Sequence, residues 1–239
     1  MGILYLVRHA QASFLEPNYD KLSALGETQS RLLGEYWAQR NLTFDRVGVG
    51  PCARQKDTVR LVSSAYRHAG LNFPEPQTLP EFDEYRAEEV LRGTLPALLE
   101  KDQTIRDLHA AFQAATNNIA QRTTFQKLFS AVIGDWVRGV ISLEGVEAWQ
   151  EFCARVNSGL EKFLASEKRG ERVAIFTSGG PIAVATQRAL HLSPESTLQM
   201  TWMSRNSSWS EFLYNTERFT LSSFNIHGHI ADPAMLTYR

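Results

Sequence analysis

The hydrophobic pattern of the chain begins with Ile3-Leu4-Tyr5-Leu6-Val7, an unbroken apolar and aromatic run. Such a run predicts a strand buried on both faces, as in a parallel sheet. It stops abruptly at Arg8-His9. Residues 26–40 then place Leu32, Leu33, Tyr36 and Trp37 on one helical face. Arg46-Val47-Gly48-Val49 predicts a second short strand ending at Gly50-Pro51. The next segment carries Val59, Val62 and Tyr66 at i, i+3 and i+7 and closes at Gly70, which predicts a helix. Pro74, Pro76 and Pro80 predict an extended connection over residues 72–80.

The middle of the chain reads as helical. Phe125, Leu128, Phe129, Val132, Ile133, Trp136 and Val137 recur at helical spacing, and Trp149, Phe152, Val156, Leu160, Phe163 and Leu164 repeat the pattern. Both stripes are core-facing helices in this reading. Val173-Ala174-Ile175-Phe176 predicts another buried strand, followed by Gly179-Gly180 and a helix opened by Pro181. Phe212 and Tyr214, a polar turn, then Phe219 and Leu221 predict a C-terminal hairpin. Strands alternating with helices define an α/β protein.

With 239 residues and no linker-like stretch, the chain is expected to form a single domain over residues 1–239, with residues 86–145 a helical insertion. The net charge of −1 provides no global field for nucleic acid or an anionic membrane, so any anion affinity must be local. Cys52 and Cys153 are too few for a disulfide scaffold and fit a reducing compartment. With neither a basic-then-apolar leader nor a long apolar run, the expected location is cytoplasmic. No metal-binding spacing is present, so neither metal nor cofactor is expected, and the oligomeric state is not readable.

The chemistry is concentrated where the first strand ends. In open α/β sheets ligands sit just beyond the carboxyl ends of the strands. Arg8 is a permanent cation that forks onto phosphate, and His9 is a potential nucleophile at neutral pH. Arg54 follows the second strand at a loop-to-helix junction, where backbone N–H groups also favour anions. Two arginines match the charge of a phosphate dianion.

Arg8-His9-Ala10 resembles the Arg-His-Gly signature of the histidine phosphatase superfamily, the phosphoglycerate-mutase-like proteins. Further matches follow in order along nearly the whole chain. They are Leu22-Ser23 with Gly26 and Gln29, Arg54 within residues 50–58, Leu79-Pro80-Glu81, Gly179-Gly180-Pro181-Ile182, Asn206, Phe224-Asn225 and His229. Residues 86–145 match least. The resemblance implies a three-layer sandwich: a mostly parallel sheet with helices on both faces and a C-terminal β-hairpin. It further implies phosphomonoester hydrolysis through a phosphohistidine on His9, with Arg8 and Arg54 on the transferring oxygens and a small phosphorylated substrate.

By the same resemblance Glu81 is the expected general acid, with Glu84, three residues on, as the alternative. Gln11, Ser13, Ser178 and Gly179 are expected to contact substrate. One departure stands out: where the family carries a second histidine before the Gly-Gly, this chain has Ser178. A charged donor contributes roughly 1.5–3 kcal/mol and a hydroxyl about 0.5–1.5 kcal/mol, so the replacement predicts attenuated turnover. His227 or His229 would be the compensating donor. The sequence leaves two other functions open: a phosphate- or phosphoprotein-binding module, and a phosphomutase.

Overall fold

The N-terminal apolar run forms β1 (Gly2–Arg8). It pairs in parallel with β4 (Arg172–Thr177) and antiparallel with β5 (Trp209–Tyr214). The other strands are β2 (Arg46–Val49), the two-residue β3 (Gln77–Thr78) and β6 (Phe219–Ile226). The computed structural model describes residues 1–13, 20–166, 168 and 170–238. Among them the sheet has six strands in the order β3-β2-β4-β1-β5-β6. The pairings β3–β2, β2–β4 and β4–β1 are parallel, and β5–β6 is the antiparallel C-terminal pair.

Alternation along β1 divides the core. Tyr5 and Val7 lie in one buried cluster with Leu33 and Trp37 of α1 (Ala24–Gln39) and Val59, Val62 and Tyr66 of α2 (Ala53–His68). The two helices pack so closely that a Cβ on Gly34 would lie 2.7 Å from that of Ala65. Leu4 points to the opposite face, paired with Phe212, which stacks on Phe219 at 5.0 Å. There Arg188 of α7 (Gly179–Leu190) lies 5.4 Å over the Phe219 ring. Helices therefore cover both faces of the sheet, as the resemblance implied.

The chain divides into two compact units, Met1–Glu84 with Arg155–Arg239, and Tyr85–Ala154. The second contains α3 (Ala87–Lys101), α4 (Gln103–Gln113), α5 (Asn118–Val137) and the start of α6 (Trp149–Leu164). Asp102 and Asn117 cap α4 and α5 by accepting from the N–H groups of Ile105 and Ala120. Ile105, Leu128 and Val132 form one core of this unit. Tyr85, Trp136, Trp149 and Phe152 form an aromatic cluster with centroid spacings of 5.4–6.2 Å.

One local expectation differs from the structure. The helix placed at Pro181 starts two residues earlier, at Gly179, with Ser178 as N-cap. A proline is tolerated there because first-turn N–H groups lack helical acceptors in any case. His191 is the left-handed residue that ends α7, with φ of 54°. Residues 72–80 are extended and include β3; a 3-10 turn follows at Pro80–Phe82. Finally, α8 (Pro194–Met203) leads into the hairpin. Among the described residues no helix is long and apolar enough to cross a membrane.

Candidate active site

Parallel register brings three strand ends to one line. Arg8 stands beside Thr177, and Val49 beside Phe176, so His9 and Ser178 follow side by side, with Gly50 next to Thr177. The N–H of His9 donates to Thr177 O at 2.8 Å, and that of Gly50 to Phe176 O at 2.9 Å. Helices α2 and α7 both start immediately beyond this line.

His9 is 5% exposed. Its Nδ1 lies 2.8 Å from Ala10 O, and Arg54 Nε donates to its Nε2 at 3.1 Å. A donor on Nε2 assigns the ring proton to Nδ1, which then donates to the Ala10 carbonyl. Nε2 is left with a lone pair. Burial, then the charges of Arg54 and Arg8, hold the imidazole pKa well below its ordinary value, so the ring is neutral.

A polar frame fixes the backbone on either side of His9. Its carbonyl accepts from Asn206 Nδ2 and from the N–H of Ser207, both at 3.2 Å. Ala10 N–H donates to Thr58 Oγ1 at 3.0 Å, and Gln11 N–H to Gln29 Oε1 at 2.9 Å. Gln29 Nε2 continues to Met235 O and Thr237 Oγ1, and Thr237 donates to Asn206 Oδ1 at 2.9 Å. Gln29, Thr58 and Asn206 are all 0% exposed, so these bonds are made without competition from water.

Arg8 donates through Nη1 to Ser204 O. Arg54 donates through Nη1 to Asp20 Oδ1 at 2.7 Å, and the other Asp20 oxygen accepts from Ala53 N–H at 2.7 Å. Asp20 thus satisfies the first turn of α2 while it balances Arg54, a role that reading from sequence did not assign.

The two glutamates differ sharply. Glu81 lies in the 3-10 turn, and its carboxylate pairs with Lys162 Nζ at 3.1 Å. Its own backbone N–H, then Lys162, hold its pKa below the usual carboxylate value. Glu84 instead reaches the start of α7, where its Oε2 accepts from Gly180 N–H at 3.1 Å. The segment between them is pinned to the strand ends. Phe82 O accepts from Thr177 Oγ1 at 2.9 Å, and Asp83 Oδ1 accepts from Cys52 Sγ at 3.1 Å. The structure brings Glu84 to the α7 N-terminus; Glu81 forms its ion pair on α6.

Ser178 is fully enclosed, and its Oγ accepts from Gln55 Nε2 at 2.8 Å. The hydroxyl makes no helix-capping bond. Gly179, the first residue of α7, is buried with its Cα against the backbone of Thr201. Gln11 Oε1 accepts from Ser23 Oγ at 2.8 Å, and Ser13 N–H donates to Lys21 O at 2.8 Å. His229 Nε2 lies 2.8 Å from Ser207 Oγ, with Tyr36 and Trp209 beside the ring. Burial, then the His227 charge, push its pKa down to about 3. His229 therefore supports the loop beneath His9 as a neutral ring. His227 Nδ1 lies 2.9 Å from Asn225 O. Among the described residues no cluster of His, Cys, Asp and Glu could hold a metal ion.

A neutral histidine flanked by two arginines thus stands at the carboxyl end of a mostly parallel sheet, where α/β folds bind ligands. Residues 4–227 match the sequence model of the histidine phosphatase superfamily (branch 1), and the chain belongs to that superfamily. Members of the superfamily are phosphatases or phosphomutases. No curated protein matches the sequence.

Solved structures share the fold. An α-ribazole phosphatase from Shigella flexneri superposes with a TM-score of 0.60 at 18% identity, covering 94% of this chain and 96% of the other. A phosphoglycerate mutase from Bacillus anthracis gives 0.61 at 15%, covering 95% and 94%. A mycobacterial glucosyl-3-phosphoglycerate phosphatase in complex with inorganic phosphate gives 0.60 at 17%, covering 97% and 100%.

Proposed function

We propose that the protein is a phosphomonoesterase that acts through a phosphohistidine on His9, with a small phosphorylated substrate. One observation carries this reading: His9 is buried and neutral, with its proton on Nδ1 and its Nε2 lone pair directed at a guanidinium. That state is ready to attack phosphorus without first losing a proton.

Arg8 and Arg54 hold the transferring oxygens. Arg54 Nε leaves Nε2 and takes a phosphoryl oxygen as the Nε2–P bond forms and the P–O ester bond breaks. The leaving oxygen takes its proton from a carboxylic acid. Glu84 performs this step in preference to Glu81, because Lys162 stabilises the ionised form of Glu81. Glu84 then removes a proton from water, whose oxygen bonds to phosphorus as the Nε2–P bond breaks. The amides that start α7 face the same region, with Ser178 at the position of the family's second histidine. The reading includes a cytoplasmic location and a single functional domain over residues 1–239 with a helical insertion, residues 86–145.

The test is hydrolysis of p-nitrophenyl phosphate in EDTA by the wild type and by His9→Ala. Wild-type turnover that disappears in the variant, at unchanged thermal stability, is the expected result. A second reading, a phosphate-binding member with weak chemistry, draws on the enclosed Ser178 hydroxyl standing where the family has a histidine. Phosphate binding by the wild type without turnover on any ester would favour it.

A further inference from the structure

Among the described residues the Arg205 guanidinium has no counter-ion. Its Nε is enclosed and has no hydrogen-bond partner. Its Nη1 lies 3.5 Å from His227 Nδ1, and its central carbon lies 5.3 Å from the centroid of the Tyr238 ring. No carboxylate among the described residues pairs with it. Holding a half-buried cation in this way is unfavourable unless an anion completes the site.

The backbone around it is nevertheless firmly held. Arg205 N–H donates to Asn225 Oδ1 at 2.8 Å, and its carbonyl accepts from Ser208 Oγ at 2.8 Å. Asn225, in a left-handed conformation with φ of 59°, also donates through Nδ2 to Met203 O at 2.8 Å. One side chain thereby clamps residues 203–205. The position is next to the chemistry. Ser204, the preceding residue, accepts from Arg8, and Asn206, the following one, donates to the His9 carbonyl. The end of β6 at Ile226 pairs with Trp209, which pairs with Val7, so His227 emerges at the same end of the sheet as His9.

We propose that Arg205, with His227 and Tyr238 beside it, forms a second anion subsite that takes a carboxylate or second phosphate on the substrate. This rests on the phosphomonoesterase reading and narrows its substrate class to phosphate esters that carry another anionic group. The subsite positions the ester by binding its non-reacting end, while Arg8, Arg54 and His9 act on the phosphoryl group.

Steady-state kinetics of the wild type, Arg205→Met and Arg205→Lys on 2-phosphoglycolate, a hexose bisphosphate and p-nitrophenyl phosphate test this. In Arg205→Met the preference for the doubly anionic esters over p-nitrophenyl phosphate falls about tenfold, mainly through KM, and lysine restores part of it. Whichever of 2-phosphoglycolate and the bisphosphate loses more identifies the second anion as carboxylate or phosphate. An unchanged preference overturns the proposal, as does an equal loss on all three substrates. Calorimetry on His9→Ala, with and without Arg205→Met, separates the subsite from the chemistry. Arg205→Met should weaken 2-phosphoglycolate binding more than inorganic phosphate binding even if the wild type proves inactive; equal effects on the two ligands contradict the subsite.

Discussion

At the scale of single residues, the glutamate assignment is the most consequential. On the proposed mechanism Glu84→Gln removes the proton donor to the leaving oxygen, and kcat should fall by about 10²–10⁴-fold. Glu81→Gln removes an ion pair that is partly exposed to water, and kcat should stay within about threefold of wild type. A reversal of these two results in a kcat comparison would return the role to Glu81. Asp20 gives a second test. Its carboxylate is 40% exposed and rests on Arg54, where it competes with an incoming anion. Asp20→Asn should therefore tighten inhibition by vanadate by about two- to fivefold, the range of an exposed pair. Weaker inhibition would mean instead that Asp20 orients Arg54.

Arg8 and His9, at the end of β1, and Arg54, in the first turn of α2, were legible as neighbours because strand ends and helix starts of an α/β sheet converge. The frame around them was less so. Gln29 shares the buried face of α1 with Leu33 and Trp37, and Gln55 and Thr58 share that of α2 with Val59 and Val62. A polar residue on a core-facing stripe is the signal that would have found them, since it must have a buried partner. Asp20 precedes no apolar stripe and reaches α2 only through tertiary structure.

At the scale of elements, the site depends on where strands stop. The parallel register of β1, β4 and β2 places His9 beside Ser178 and Gly50 beside Thr177, and any slip would separate them. Gly26 near the start of α1 is part of this arrangement, because a Cβ there would lie 2.1 Å from Gln11 O. Gly26→Ala must push the backbone next to His9, costing about 1–3 kcal/mol of stability and a larger fraction of activity. Thermal melting and kcat measured together check this; a variant with wild-type values in both would show that the loop moves freely.

The strands and the long apolar helices could be read from periodicity because each buries a continuous stripe. The start of α7 was misplaced because Pro181 looked like a first helical residue, whereas the Gly-Gly pair before it is already helical. Helices α3 and α4 carried no clear stripe of their own: Val90, Thr94 and Ile105 are their buried positions, and Pro96 lies inside α3.

At the scale of the whole molecule, burial of neutral histidines couples stability to pH. The His229 pKa of about 3 lies below the ordinary 6.5 expected in the unfolded chain, so the unfolded state binds the proton first. This contribution is complete above pH 6.5 and is lost as pH falls toward 3, at up to about 1.4 kcal/mol per pH unit. His229→Phe should flatten the acid limb of the stability curve, even if its stability near neutrality is lower because the Ser207 contact is gone. Denaturant unfolding between pH 4 and 7 reads the difference; parallel curves for wild type and variant would contradict a buried neutral imidazole.

The proposed catalytic cycle depends on a covalent bond between phosphorus and His9 Nε2. The most direct measurement is a base quench during turnover of p-nitrophenyl phosphate, followed by mass analysis of the peptide containing His9. The expected result is one added phosphoryl group on that peptide, stable in base and released in acid, and absent from His9→Ala. Turnover with no phosphoryl group on His9 at any quench time, or phosphoryl transfer to another residue, would contradict it.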